Sequence, residues 1–93
     1  MTVICRQCLV GGRVQGVFYR ATAAQRAREL GVSGYARNLP DGRVEVLACG
    51  ELTVVNIFVE WLWTGSSASK VTSVEVIEVT LPAGQYPVGF RTG

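Results

Sequence analysis

The chain has 93 residues, 48% of them apolar and only 17% charged, which is material for one compact core. A net charge of +2 is too small for bulk attraction to nucleic acid or an anionic membrane, so any anion binding must be local, and the absence of histidine excludes histidine bases and the usual zinc sites. No apolar run reaches the ~18 residues of a membrane span and no signal peptide is recognisable, so the expectation is a single cytoplasmic domain over residues 1–93, without nucleic-acid or membrane partner.

Val3 to Val10 reads as a first strand, with Cys8 and Val10 on one face and Cys5, Gln7 and Leu9 on the other. Arg6 interrupts the first face, and nothing in the sequence explains it. Gly12-Arg13-Val14-Gln15-Gly16-Val17-Phe18-Tyr19-Arg20 follows as a loop whose glycines let the backbone curl and aim several amides at one centre. It leads into a helix. The positive end of that helix, together with an Arg20 guanidinium able to fork two hydrogen bonds onto a phosphate, makes the loop a candidate anion site. Thr22 to Leu30 is the helix: Ala23, Ala27 and Leu30 form an apolar stripe, Thr22 and Gln25 have capping-box spacing, and Gly31 is the stop. Phe18 and Tyr19 are expected to pack the loop against the core.

Val32 to Asn38 reads as a second strand, joined by the turn Leu39-Pro40-Asp41-Gly42 to a third, Arg43 to Cys49. Leu52 to Trp63 reads as a second helix with Val55, Phe58, Val59 and Leu62 as its core stripe. Val54, Ile57, Trp61 and Trp63 make the rest of it apolar, which suits either a dimer contact or packing beneath the C-terminal segment. Gly65 to Ser69 is a connector, Val71 to Thr80 a fourth strand, Leu81 to Pro87 a loop, and Val88 to Thr92 a short fifth edge strand. This order predicts an α+β fold: a ferredoxin-like βαββαβ sandwich, an antiparallel sheet with two helices on one face.

In that arrangement the first two strands run in the same direction, so Asn38 returns to the edge where the loop begins. The same topology brings Cys5 beside Cys49 on the open face of the sheet. A disulfide between them is geometrically reasonable, and a reducing cytosol weighs against it. Cys8 should be a buried thiol. The spacing Cys5-x-x-Cys8 is no redox motif here, because residues three apart on a strand face opposite ways roughly 10 Å from each other.

The segments Gly12 to Val17, Tyr19-Arg20, Gly34 to Asn38, Gly42-Arg43-Val44 and Gly50 resemble the two signature patterns of the acylphosphatases, closely over residues 3–50 and loosely as far as Phe90. Ser66, where the family often has proline, and the polar ending Arg91-Thr92-Gly93 depart from that pattern. The resemblance implies hydrolysis of the carboxyl–phosphate bond of small acyl phosphates by a monomer, without metal or cofactor. Arg20 and the backbone amides of Gln15, Gly16, Val17, Phe18, Tyr19 and Arg20 would hold the phosphoryl group, Asn38 would orient the attacking water, and inorganic phosphate or sulfate would bind as a product-like ligand. Alone, Arg20 could be a surface charge and Asn38 a strand-end residue; two signatures at the right spacing favour catalysis. The alternatives are a non-catalytic interaction or regulatory module on the same fold, one part of a carbamoyl-transferring protein, and an RNA-binding sheet. The third strand has no aromatic residue to stack a base, which speaks against the last.

Overall fold

In the computed structural model, which describes residues 2–82 and 84–93, the elements follow as β1 (Val3–Arg13), α1 (Tyr19–Leu30), β2 (Ser33–Asn38), β3 (Val44–Glu51), α2 (Leu52–Trp61), β4 (Lys70–Val79) and β5 (Phe90–Thr92). They form a ferredoxin-like α+β sandwich with sheet order β4-β1-β3-β2-β5. Because β3 is antiparallel to both β1 and β2, those two strands run the same way. β5 pairs in parallel with β2, so the sheet is mixed rather than wholly antiparallel. The cause is the path of the chain. β4 runs opposite to β1, and the following loop reverses the chain once more, so the last strand can only return in the direction of β2.

The core lies between the helices and the sheet. Cys8, Val10, Val44, Val46, Ala48 and Ala36 of the sheet are buried against Ala23, Ala24 and Ala27 of α1 and against Val55, Phe58 and Leu62 of α2. The alanine stripe lets α1 approach closely, while Phe58 fills the remaining depth, stacked 6.0 Å from Trp61 and edge-on to Phe90 at 5.6 Å. Part of the apolar excess on α2 is therefore internal packing: Trp61 also lies 6.3 Å from the Tyr19 ring, and Val54 and Val59 pack on the core, whereas Leu52, Ile57 and Trp63 stay exposed. Glu51 caps this helix, its carboxylate accepting from the Val54 amide, and hydrogen bonding from Thr53, its backbone amide foremost, holds the carboxyl below the usual range.

Several boundaries differ from the sequence expectation. β1 extends beyond Val10 to Arg13, because Gly12 and Arg13 pair with Val71 and Lys70 across a bulge at Gly11. α1 begins at Tyr19, and Thr22 is no cap; its hydroxyl lies inside the first turn and donates to the Phe18 carbonyl at 2.8 Å. Gly31 does end the helix, in the left-handed region at φ 75°. α2 stops at Trp61 and β5 is limited to Phe90–Thr92, where the Arg28 guanidinium donates to the Phe90 carbonyl at 2.8 Å. The polar ending thus still forms an edge strand.

Cys5 and Cys49 stand directly opposite in the β1–β3 register, with Cα atoms 4.2 Å apart, and are joined in a disulfide. They lie at the end of the sheet remote from the loop. Cys8 is a free buried thiol, pushed up to about 11 by desolvation. Arg6 meets Glu78, its partner across β1 and β4, at 3.5 Å, which accounts for a charge in an otherwise apolar run.

Candidate active site

The connection from β1 to α1 is residues 14–18, and its backbone is shaped by two left-handed positions, Gly16 at φ 73° and Phe18 at φ 61°. Apart from its chain neighbours, no atom of the described residues lies within 4 Å of where a Gly16 Cβ would stand, so the dihedral and not the space calls for glycine. Phe18 holds the same region with a side chain, a conformation that costs an L-residue roughly 1–2 kcal/mol. Two of the loop carbonyls are taken up by protein donors. That of Val17 accepts from the Ser66 hydroxyl at 2.6 Å, and that of Phe18 accepts from the Thr22 amide at 3.0 Å. The backbone amides of Gly16 through Ala21 donate to no protein acceptor among the described residues. A run of unpartnered amides in a tight loop at a helix start is the material of an anion nest.

A cavity of about 300 Å³ opens there, lined by Val14, Gly16, Phe18, Tyr19, Arg20, Ala21 and Thr92. Arg20 makes no salt bridge and no side-chain hydrogen bond among the described residues, while Arg37 is paired with Glu45 at 2.7 Å and Arg43 with Asp41 at 2.8 Å. The cation lining the cavity is thus without a carboxylate partner among the described residues. A second hollow of about 280 Å³ at the other end of the sheet contains Arg6, but that guanidinium already meets Glu78. The tyrosine in the cavity wall is turned inward: its hydroxyl donates to the Leu62 carbonyl at 2.7 Å, and burial raises its pKa. The cavity lining holds no carboxylate or thiol among the described residues.

The sequence-expected residues fall into four groups. Gly16, Phe18, Tyr19 and Arg20 line the cavity. Val17 is buried and its carbonyl anchors the loop to Ser66, so the serine that departs from the family's frequent proline has a role of its own. Gln15 turns its side chain away, donating to the Leu39 carbonyl at 2.9 Å and the Arg43 carbonyl at 3.0 Å. Asn38 is outside the cavity lining. It is exposed at the end of β2, two residues past Ala36, whose parallel partner Thr92 is in the lining. Packing of Tyr19 agrees with expectation, but Phe18 does not pack: its ring is 82% exposed, because the left-handed φ swings it outward. Thr92 was not foreseen. Only the β2–β5 register brings it to the site, and no local pattern signals it.

A small α+β sandwich carrying a cation-bearing loop of free amides at one sheet end defines the class of protein. A family model described as acylphosphatase matches residues 6–92. The chain is 52% identical over 86 residues to an acylphosphatase of Chromohalobacter salexigens, covering 91% of this chain and 96% of that one. It is 49% identical over 80 residues to an acylphosphatase of Nitrosococcus oceani, covering 86% and 90%. The crystal structure of an acylphosphatase from Bacillus subtilis superposes with a TM-score of 0.90 at 36% identity, covering 97% of this chain and 98% of that one. The chain belongs to the acylphosphatase family.

Proposed function

We propose that the protein is an acylphosphatase, a hydrolase that cleaves the carboxyl–phosphate anhydride of small acyl phosphates. The observation that carries this reading is the set of amides from Gly16 to Ala21, without protein acceptors and backed by an unpaired Arg20. In the reaction, the water oxygen bonds to phosphorus, the bond from phosphorus to the acyl oxygen breaks, and its electron pair leaves on the carboxylate. One water proton stays on the new phosphate hydroxyl and the other passes to a phosphate oxygen, giving carboxylate and dihydrogen phosphate. The leaving group is good, so the protein's part is positioning and charge stabilisation. Arg20 and the amides of residues 15–20 bind the three non-bridging oxygens and strengthen their hold as charge develops. The Asn38 carboxamide orients the water. No step calls for a general base, a metal or a cofactor.

All these groups come from one end of one sheet, so a monomer folded as one domain over residues 1–93 suffices. A reducing cytoplasm would open the Cys5–Cys49 bond, but the reaction uses neither thiol.

The test is hydrolysis of acetyl phosphate and benzoyl phosphate in the presence of a chelator, for wild type, Arg20→Ala and Asn38→Ala. Wild type turns both over. Each variant loses roughly 10²–10³-fold in kcat/KM, the range for losing one stabilising donor. Arg20→Ala also weakens competitive inhibition by inorganic phosphate, whereas Asn38→Ala leaves it unchanged. Full activity in either folded variant would overturn the assigned roles. A folded wild type without turnover would favour a non-catalytic module.

A further inference from the structure

The loop of residues 14–18 and the β2–β3 turn come from distant parts of the chain, yet the reaction above needs the phosphoryl group held by one to meet the water oriented beside the other. Gln15 spans that gap. Its carboxamide nitrogen has two hydrogens, and both are used, one on the Leu39 carbonyl at 2.9 Å and one on the Arg43 carbonyl at 3.0 Å. The orientation of the amide follows from the partners, since the flipped group would set an oxygen against two carbonyl oxygens. The same two carbonyls close the turn: the Leu39 amide donates to that of Arg43 at 2.8 Å, and the Gly42 amide to that of Leu39 at 3.1 Å. Gln15 therefore occupies the second acceptor site of each. No other side-chain hydrogen bond among the described residues joins the loop to this turn.

The two anchors bracket Asn38. Leu39 follows it directly, and Arg43 precedes Val44, its register partner on β3. We propose that Gln15 is a positioning residue that fixes the distance between the phosphate loop and Asn38 through its side chain. The inference rests on the acylphosphatase reading and on the role given to Asn38. A shift of about 1 Å between reacting groups is enough to cost on the order of 100-fold. The tie is therefore expected to act on kcat, while phosphate binding, which depends on Arg20 and on backbone amides, is left alone.

The experiment uses Gln15→Met, which keeps the length and removes both donors, and Gln15→Glu. Gln15→Met should lower kcat roughly 10- to 100-fold, with the inhibition constant for inorganic phosphate within a few-fold of wild type. In an Asn38→Ala background the same change should have almost no further effect, because the distance it disturbs no longer matters. Gln15→Glu places a carboxylate against two carbonyl oxygens. Its rate relative to wild type at the same pH should rise as the pH falls and the carboxyl gains a proton to donate. That series carries the test if Gln15→Met does not fold. A folded Gln15→Met with the wild-type rate, a penalty that multiplies in full on Asn38→Ala, a large loss of phosphate inhibition, or a flat Gln15→Glu profile would each overturn the role of Gln15. If Asn38→Ala itself keeps the wild-type rate, the mechanism is what fails.

Discussion

Replacing Phe18 by glycine should leave the protein more stable than replacing it by alanine, an inversion of the order found inside a helix. Phe18 sits at φ 61° with its ring 82% exposed, so either substitution removes nearly the same small amount of packing. What differs is the backbone. Alanine keeps a Cβ in the left-handed region at a cost of roughly 1–2 kcal/mol, while glycine avoids it but loses about 0.5–1 kcal/mol more entropy on folding. The balance favours glycine by about 0.5–1 kcal/mol. At a urea slope of about 1–3 kcal/mol/M this separates the two midpoints by roughly 0.2–1 M, with a higher melting temperature for glycine. Urea denaturation of Phe18→Gly and Phe18→Ala under identical conditions is the assay. An alanine variant as stable as the glycine one, with both folds intact, would refute the claim that the loop is held in a costly conformation.

Reduction of the Cys5–Cys49 bond, whose ends are 44 positions apart, should cost about 4 kcal/mol of stability by loop-closure entropy. It should not change kcat of the folded protein, since the pair lies at the far end of the sheet; urea titrations and rates with and without reductant check both halves. Tyr19→Phe strands the buried Leu62 carbonyl and should destabilise by roughly 1–2 kcal/mol, seen as a melting temperature lower by several degrees. The Cys8 thiol is raised from 9.0 to about 11, so its neutral form is favoured in the folded state. The resulting stability is fully present below pH 9 and is lost as pH rises towards 11, by up to about 3 kcal/mol. Urea midpoints at pH 8 and 10.5 should fall less in Cys8→Ala than in wild type, and equal falls would count against the buried thiol. Gly34→Ala should cost about 3 kcal/mol or more, or prevent folding, because the new Cβ would strike the Leu47 carbonyl of β3 at φ 143°; circular dichroism during chemical denaturation measures it.

Most of the element order was legible in the sequence because it is written locally. Alternating Val44, Val46 and Ala48 can bury only one face of a strand, and Ala23, Ala27 and Leu30 can bury only one face of a helix. The boundaries were less legible, because they depend on partners. β1 runs on to Arg13 only because Val71 and Lys70 lie beside it, and Thr22 lost the capping position because the left-handed Phe18 starts the helix three residues earlier. Arg6 made sense only opposite Glu78.

By itself the sequence determined the family, the glycine-bearing loop, the arginine at its end and the asparagine expected to return to it, since two motifs at a fixed spacing are a one-dimensional signal. Tertiary structure alone decided that Arg20 has no carboxylate partner among the described residues while Arg37 and Arg43 are taken up by carboxylates, that Thr92 joins the cavity, and that Phe18 points outward. It also decided what the side chain of Gln15 does. A glutamine beside a glycine can be read as part of a loop, but the two carbonyls it joins lie more than twenty positions along the chain, and only folding brings an acceptor pair to a donor pair.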